Sequence, residues 1–120
     1  MSKLKHSVQD AWRGICYVFV HEQNFRIQMC VAVVVGVLAW IFSVGRIEGI
    51  LLVVSICAVL GLELLNSAVE KFSDLMKPRM NMHVGTVKDI MAALVLLASL
   101  GAGMVGVLVF WPHVIPLFFL

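Results

Sequence analysis

Glu63 stands alone as a charge in the run from Gly49 to Val69. Asn66, Glu70 and Asp74 follow it at offsets of 3, 7 and 11 residues. At helical pitch these four fall within a sector of roughly 80°, with Ser67 beside them. Glu63 and Glu70 would stand about 10 Å apart along the axis, so the stripe runs from an interface into an apolar interior. An ionisable group at membrane depth costs about 2.5 kcal/mol or more and by default marks function. Two further polar groups flank the apolar runs: Glu22, Asn24, Arg26 and Gln28 on one side, and Lys88 with Asp89 on another. Together they bring four carboxylates from separate segments (Glu22, Glu70, Asp74, Asp89) toward one face, with Glu63 deeper. Carboxylates gathered in this way suit Mg²⁺, a hard cation that takes oxygen ligands and keeps phosphates and waters as partners. A lysine beside them suits a phosphate. Phosphoryl transfer asks for little more: charge neutralisation, a cation on the γ-phosphate, and a group that orients the attacking hydroxyl.

These residues need elements to hold them, and the composition says which. Of 120 residues, 62% are hydrophobic and 13% charged. A soluble domain carries about 45–50% apolar and about 25% charged residues, so an integral membrane protein of one domain is expected. A formal charge of +2 gives no support to nucleic-acid binding. Nineteen uncharged residues separate Arg26 from Arg46, and no formal charge follows Asp89. Ile90 to Trp111 alone would span about 33 Å as a helix, enough for a hydrocarbon core of about 30 Å. The reading is all-α: transmembrane helices over 27–45, 49–70 and 89–111, in a single membrane domain over 1–120. Pro112 and Pro116 are expected to end the third span, since proline breaks a helix interior.

Residues 1–26 read differently. Leu4, Val8, Ala11, Trp12, Ile15 and Phe19 recur at helical spacing, and Lys3, Lys5, Gln9, Asp10 and Arg13 lie largely on another side. That pattern predicts an amphipathic surface helix with Trp12 near headgroup level. A cleaved leader fits poorly, because no small-residue cleavage site follows a short apolar core. Eight of the nine basic residues fall before the first span or between the second and third. Those segments are therefore expected in the cytoplasm, with the turn near Arg46 and the C-terminus outside. Lys71, Lys77 and Arg79 read as topology charges. Arg26 has two readings, an interfacial anchor or a contact to substrate.

The strings HEQNFRIQ (His21 to Gln28), ELLNSAVEKFSD (Glu63 to Asp74) and VKD (Val87 to Asp89) resemble the small bacterial membrane diacylglycerol kinase family, which includes the undecaprenol kinases. The resemblance covers about residues 10–110. It implies a homotrimer with three transmembrane helices and one surface helix per subunit in the bacterial inner membrane. It also implies transfer of the γ-phosphoryl of Mg-ATP to a lipid alcohol, at sites shared between subunits. Carried over by position, Glu63 matches the catalytic base and Asn66 the asparagine that supports it. Glu22 and Glu70 match the metal-binding glutamates of the nucleotide site. Lys88 matches the lysine on the γ-phosphate, Asp89 its neighbour, and Asp74 a further polar position. Two departures stand out. Ile90 and Met91 follow the K-D pair where the family often has small residues. Asn81 occupies the usual histidine position, with His83 two residues on.

Other features carry less. Cys16, Cys30 and Cys57 have no metal or disulfide spacing, and His6, His21, His83 and His113 share no zinc spacing. Gly101, Gly103 and Gly106 match a dinucleotide fingerprint, but no strand precedes them; close helix packing by small residues is the expected reason. There is no GxxxxGK[ST] loop and no soluble-kinase motif set. Three spans offer little protein to bury the Glu63 stripe, so oligomerisation is expected to enclose it. The alternative from another class is a small oligomeric proton or cation channel that conducts along the same stripe.

Overall fold

A computed structural model describes residues 2–76 and 81–119, without the side chains of Asn81 and Met82. Four helices follow in order: α1 (Ser2–His21), α2 (Gln23–Ile41), α3 (Arg46–Met76) and α4 (Asn81–Phe119). Three segments, Gln23–Ile41, Arg46–Met76 and His83–Phe119, are long and apolar enough to cross a membrane. The expected all-α class with an extra N-terminal helix is therefore present. Lys77 and Arg79 lie outside the described residues.

The helix ends follow local chemistry. α1 does not run to residue 26: it stops at His21, and Glu22 takes an extended conformation (φ −115°, ψ 113°) before α2 begins. The Arg26 guanidinium reaches back and donates to the carbonyls of Phe19 and Val20 at 2.7 and 2.8 Å. Those carbonyls sit at the negative end of α1, where a cation is favoured. α2 closes with the Ser43 amide bonded to Trp40 O and the Val44 amide to Ala39 O, at 3.2 and 3.1 Å. That double closure needs a left-handed residue, and Ser43 supplies it at φ 51° where glycine is usual.

α3 and α4 exceed the expected 49–70 and 89–111. Their 31 and 39 residues correspond to about 46 and 58 Å of helix, so they extend past a hydrocarbon core of about 30 Å. Pro112 and Pro116 do not end the last helix; both lie inside α4. Proline's fixed φ suits a helix, and membrane helices tolerate the lost donor where neighbouring groups re-satisfy the backbone.

α3 and α4 form the main hairpin, and α2 and α1 pack against α3. The core is thin. Val18, Phe25, Leu52, Val59, Val84, Met91 and Val109 are its buried apolar residues. Most other large apolar side chains face outward, as a bilayer solvent permits. Leu4, Val8 and Trp12 of α1 are exposed on one apolar face, as an interface-lying helix requires. Met91, one of the two departures from the family pattern, is a core residue of the chain itself.

Candidate active site

Glu63 is 2% exposed, the most deeply buried charged residue among those described. The chain itself covers this carboxylate, whereas Asn66, Glu70 and Asp74 of the same stripe are left more open. Farther along the same face Asn66 and Glu70 are half-buried and Asp74 is exposed, while Ser67 beside them is buried.

The partner of Glu63 comes from α2. Gln28 Nε2 donates to Glu63 Oε2 at 3.4 Å, across 35 residues of sequence. Gln28 Oε1 and Ser67 Oγ are both buried without a hydrogen-bond partner among the described residues. Such unpaired groups are uncommon, and each calls for a reason. The resemblance assigned support of Glu63 to Asn66, but no hydrogen bond joins Asn66 to Glu63 among the described residues. Gln28 was legible as part of the polar cluster before the first span; nothing in its spacing relative to Glu63 shows that the two meet.

Lys88, on α4, pairs with Asp74 of α3 at 3.0 Å. This ties together the ends of α3 and α4 that project beyond the apolar core. Asp89 is exposed beside it. α1 lies over α3 near the same end. Tyr17 stacks on His21 with ring centroids 4.0 Å apart. Lys71 Nζ donates to the Tyr17 hydroxyl and lies 4.7 Å from the ring centroid. Lys71 thus has a defined partner in the fold.

Glu22 and Glu70 are half-buried, and both stand close enough to Glu63 for their charges to bear on it. Neither carboxylate accepts a hydrogen bond among the described residues. No group of three His, Cys, Asp or Glu side chains with metal-site geometry occurs among them. Two open carboxylates nevertheless fit Mg²⁺, which is commonly held by one or two carboxylates with phosphates and waters completing its shell.

The opposite end of the hairpin is distinct. His113 and Glu48 pair at 3.3 Å, and the Phe42 ring lies 5.9 Å from the imidazole. Between the two ends an apolar groove of about 560 Å³ runs from Gln28 past Ser55 and Ser99 to Gly103, Gly106 and Phe110. The glycines line open space: a Cβ at Gly101, Gly103 or Gly106 would meet nothing within 4 Å. Within this chain they mediate no close helix packing.

A polytopic helical membrane protein with a buried carboxylate, and a lysine and further carboxylates toward one end, is the class that this fold and site define. The chain belongs to the prokaryotic diacylglycerol kinase family, whose model matches residues 9–110. It is 34% identical over 112 residues to a diacylglycerol kinase of a Synechocystis species, covering 92% of this chain and 64% of that longer protein. It is 32% identical over 112 residues to the Haemophilus influenzae diacylglycerol kinase, covering 92% and 95% of the two chains. The undecaprenol kinase of Bacillus subtilis is 27% identical over 112 residues, with 93% and 91% covered. At the family level, this is a group of membrane kinases that phosphorylate lipid alcohols.

Proposed function

We propose that this chain, acting as one membrane kinase domain over 1–120, transfers the γ-phosphoryl group of Mg-ATP to the hydroxyl of a lipid alcohol, diacylglycerol or undecaprenol. The observation that carries the reading is Glu63: a carboxylate 2% exposed within an apolar helix, where burial is expensive unless function requires it. Its partner Gln28 lines one end of an apolar groove, which suits an amphiphile whose hydroxyl rests near the interface. Membership of a kinase family favours this reading over the channel.

Glu63 takes the proton of the lipid hydroxyl, as a general base must from hydrogen-bond reach. Lys88 holds the γ-phosphate, with Asp74 fixing its position until nucleotide arrives, and Asp89 adds a polar contact at the nucleotide. Glu22 and Glu70 would hold Mg²⁺, which supplies neutralisation of phosphate charge. Asn66, half-buried between Glu63 and Glu70 along α3, is assigned to support of the base by the family resemblance alone. Of the two readings of Arg26, an interfacial anchor or a contact to substrate, its two bonds to α1 carbonyls favour the anchor. The working unit is a homotrimer with shared sites in the bacterial inner membrane, its N-terminus and second loop cytoplasmic and its C-terminus outside. Half-buried Asn66 and Glu70 leave room for a neighbouring subunit's contribution.

Purified full-length protein in mixed micelles with Mg²⁺ and γ-labelled ATP tests this. Label is expected in the phosphorylated lipid when diacylglycerol or undecaprenol is offered. No label in either lipid, from protein that is folded in detergent, overturns the kinase reading.

A further inference from the structure

Glu63 has one side-chain hydrogen-bond donor among the described residues, and it is Gln28 of the neighbouring span. The terminal torsion of a glutamate is broad and roughly two-fold, so a lone buried carboxylate has no preferred plane. A donor on Oε2 fixes that plane and leaves Oε1 without a side-chain donor among the described residues. The amide orientation follows from chemistry: turned over, Gln28 would set its own carbonyl against the carboxylate, two acceptors with no proton between them. Gln28 also lines the polar end of the apolar groove, so it stands between the base and the space open to an amphiphile's chain.

Resting on the kinase reading above, we infer that Gln28 is a positioning residue: its amide aims the Glu63 carboxylate at the lipid hydroxyl. It is neutral, so it orients the base without competing for the proton. It reaches Glu63 from another helix, so the geometry of the base depends on how α2 packs on α3. An error of about 1 Å in such a group is enough to cost on the order of a hundredfold in rate.

Gln28→Met keeps the length of the side chain and removes the donor. Gln28→Asn keeps the amide but is one methylene too short for the 3.4 Å contact. Both are compared with the unaltered full-length protein in mixed micelles, measuring kcat and KM for the lipid alcohol and for MgATP. Each variant is expected to lose at least tenfold in kcat while KM for MgATP stays within twofold. If either variant folds and keeps kcat within twofold, the positioning role is overturned. A parallel loss of kcat and MgATP affinity also overturns it, because that marks a general structural effect. If Gln28→Met fails to fold, Gln28→Asn decides by the same criteria; if neither folds, Gln28 is a fold-determining residue and the proposal is rejected. Absence of lipid phosphorylation by the unaltered protein is a separate outcome and removes the kinase reading itself.

Discussion

Replacing Glu63 by glutamine separates what this residue does for stability from what it does for chemistry. Glutamine has nearly the same volume, and its carbonyl still accepts from Gln28 Nε2, the 3.4 Å bond of the native protein. The carboxylate is 2% exposed, and removing a charged group from water costs several kcal/mol even after relaxation. One hydrogen bond to a charged group returns about 1.5–3 kcal/mol at good geometry, and less at this length. Glu22 and Glu70 add like charge nearby. Glu63→Gln is therefore expected to stabilise the fold by about 1–2 kcal/mol, the net of these terms. Loss of a general base lowers turnover by about 10²–10⁴-fold. Denaturant titration in detergent, followed by tryptophan fluorescence, gives the first quantity, and phosphoryl transfer to lipid in mixed micelles gives the second. A variant less stable than the native protein, or one that keeps more than a tenth of native turnover, would refute the account of Glu63 as a costly residue retained for catalysis.

Glu22→Ala and Glu70→Ala are each expected to raise the Mg²⁺ concentration needed for half-maximal activity, about tenfold or more; a metal titration with unchanged midpoint rejects the ligand role. Mixing Glu63→Gln subunits with Lys88→Ala subunits should restore activity if sites are shared, whereas mixtures as inactive as either parent place each site within one subunit. Arg26→Leu removes both bonds to the end of α1 and is expected to speed hydrogen exchange at the amides of Tyr17 to His21, with unchanged exchange rejecting the capping role.

Much of this protein is written locally. Apolar runs before Arg46, after Glu48 (broken only by Glu63) and after Asp89 predict three spans because a bilayer accepts only long apolar helices. The offsets of Glu63, Asn66, Glu70 and Asp74 predict a stripe because helical period is a property of the backbone. The ends were less legible. α1 stops at His21 because Glu22 is extended, and nothing in the amphipathic pattern marks that break. α4 passes through Pro112 and Pro116 because a missing donor can be tolerated where the surroundings re-satisfy the backbone.

That a carboxylate sits inside an apolar helix follows from composition and helical period, which need no knowledge of neighbours. Three contacts come from docking instead: Gln28, 35 residues away, meets it, Lys88 closes on Asp74, and Arg26 holds the end of α1. Each of these contacts depends on how helices or helix ends dock, and that geometry is set by side-chain packing between segments. Hydrophobic pattern fixes which face of a helix is apolar, but it does not fix the height at which one helix meets the next.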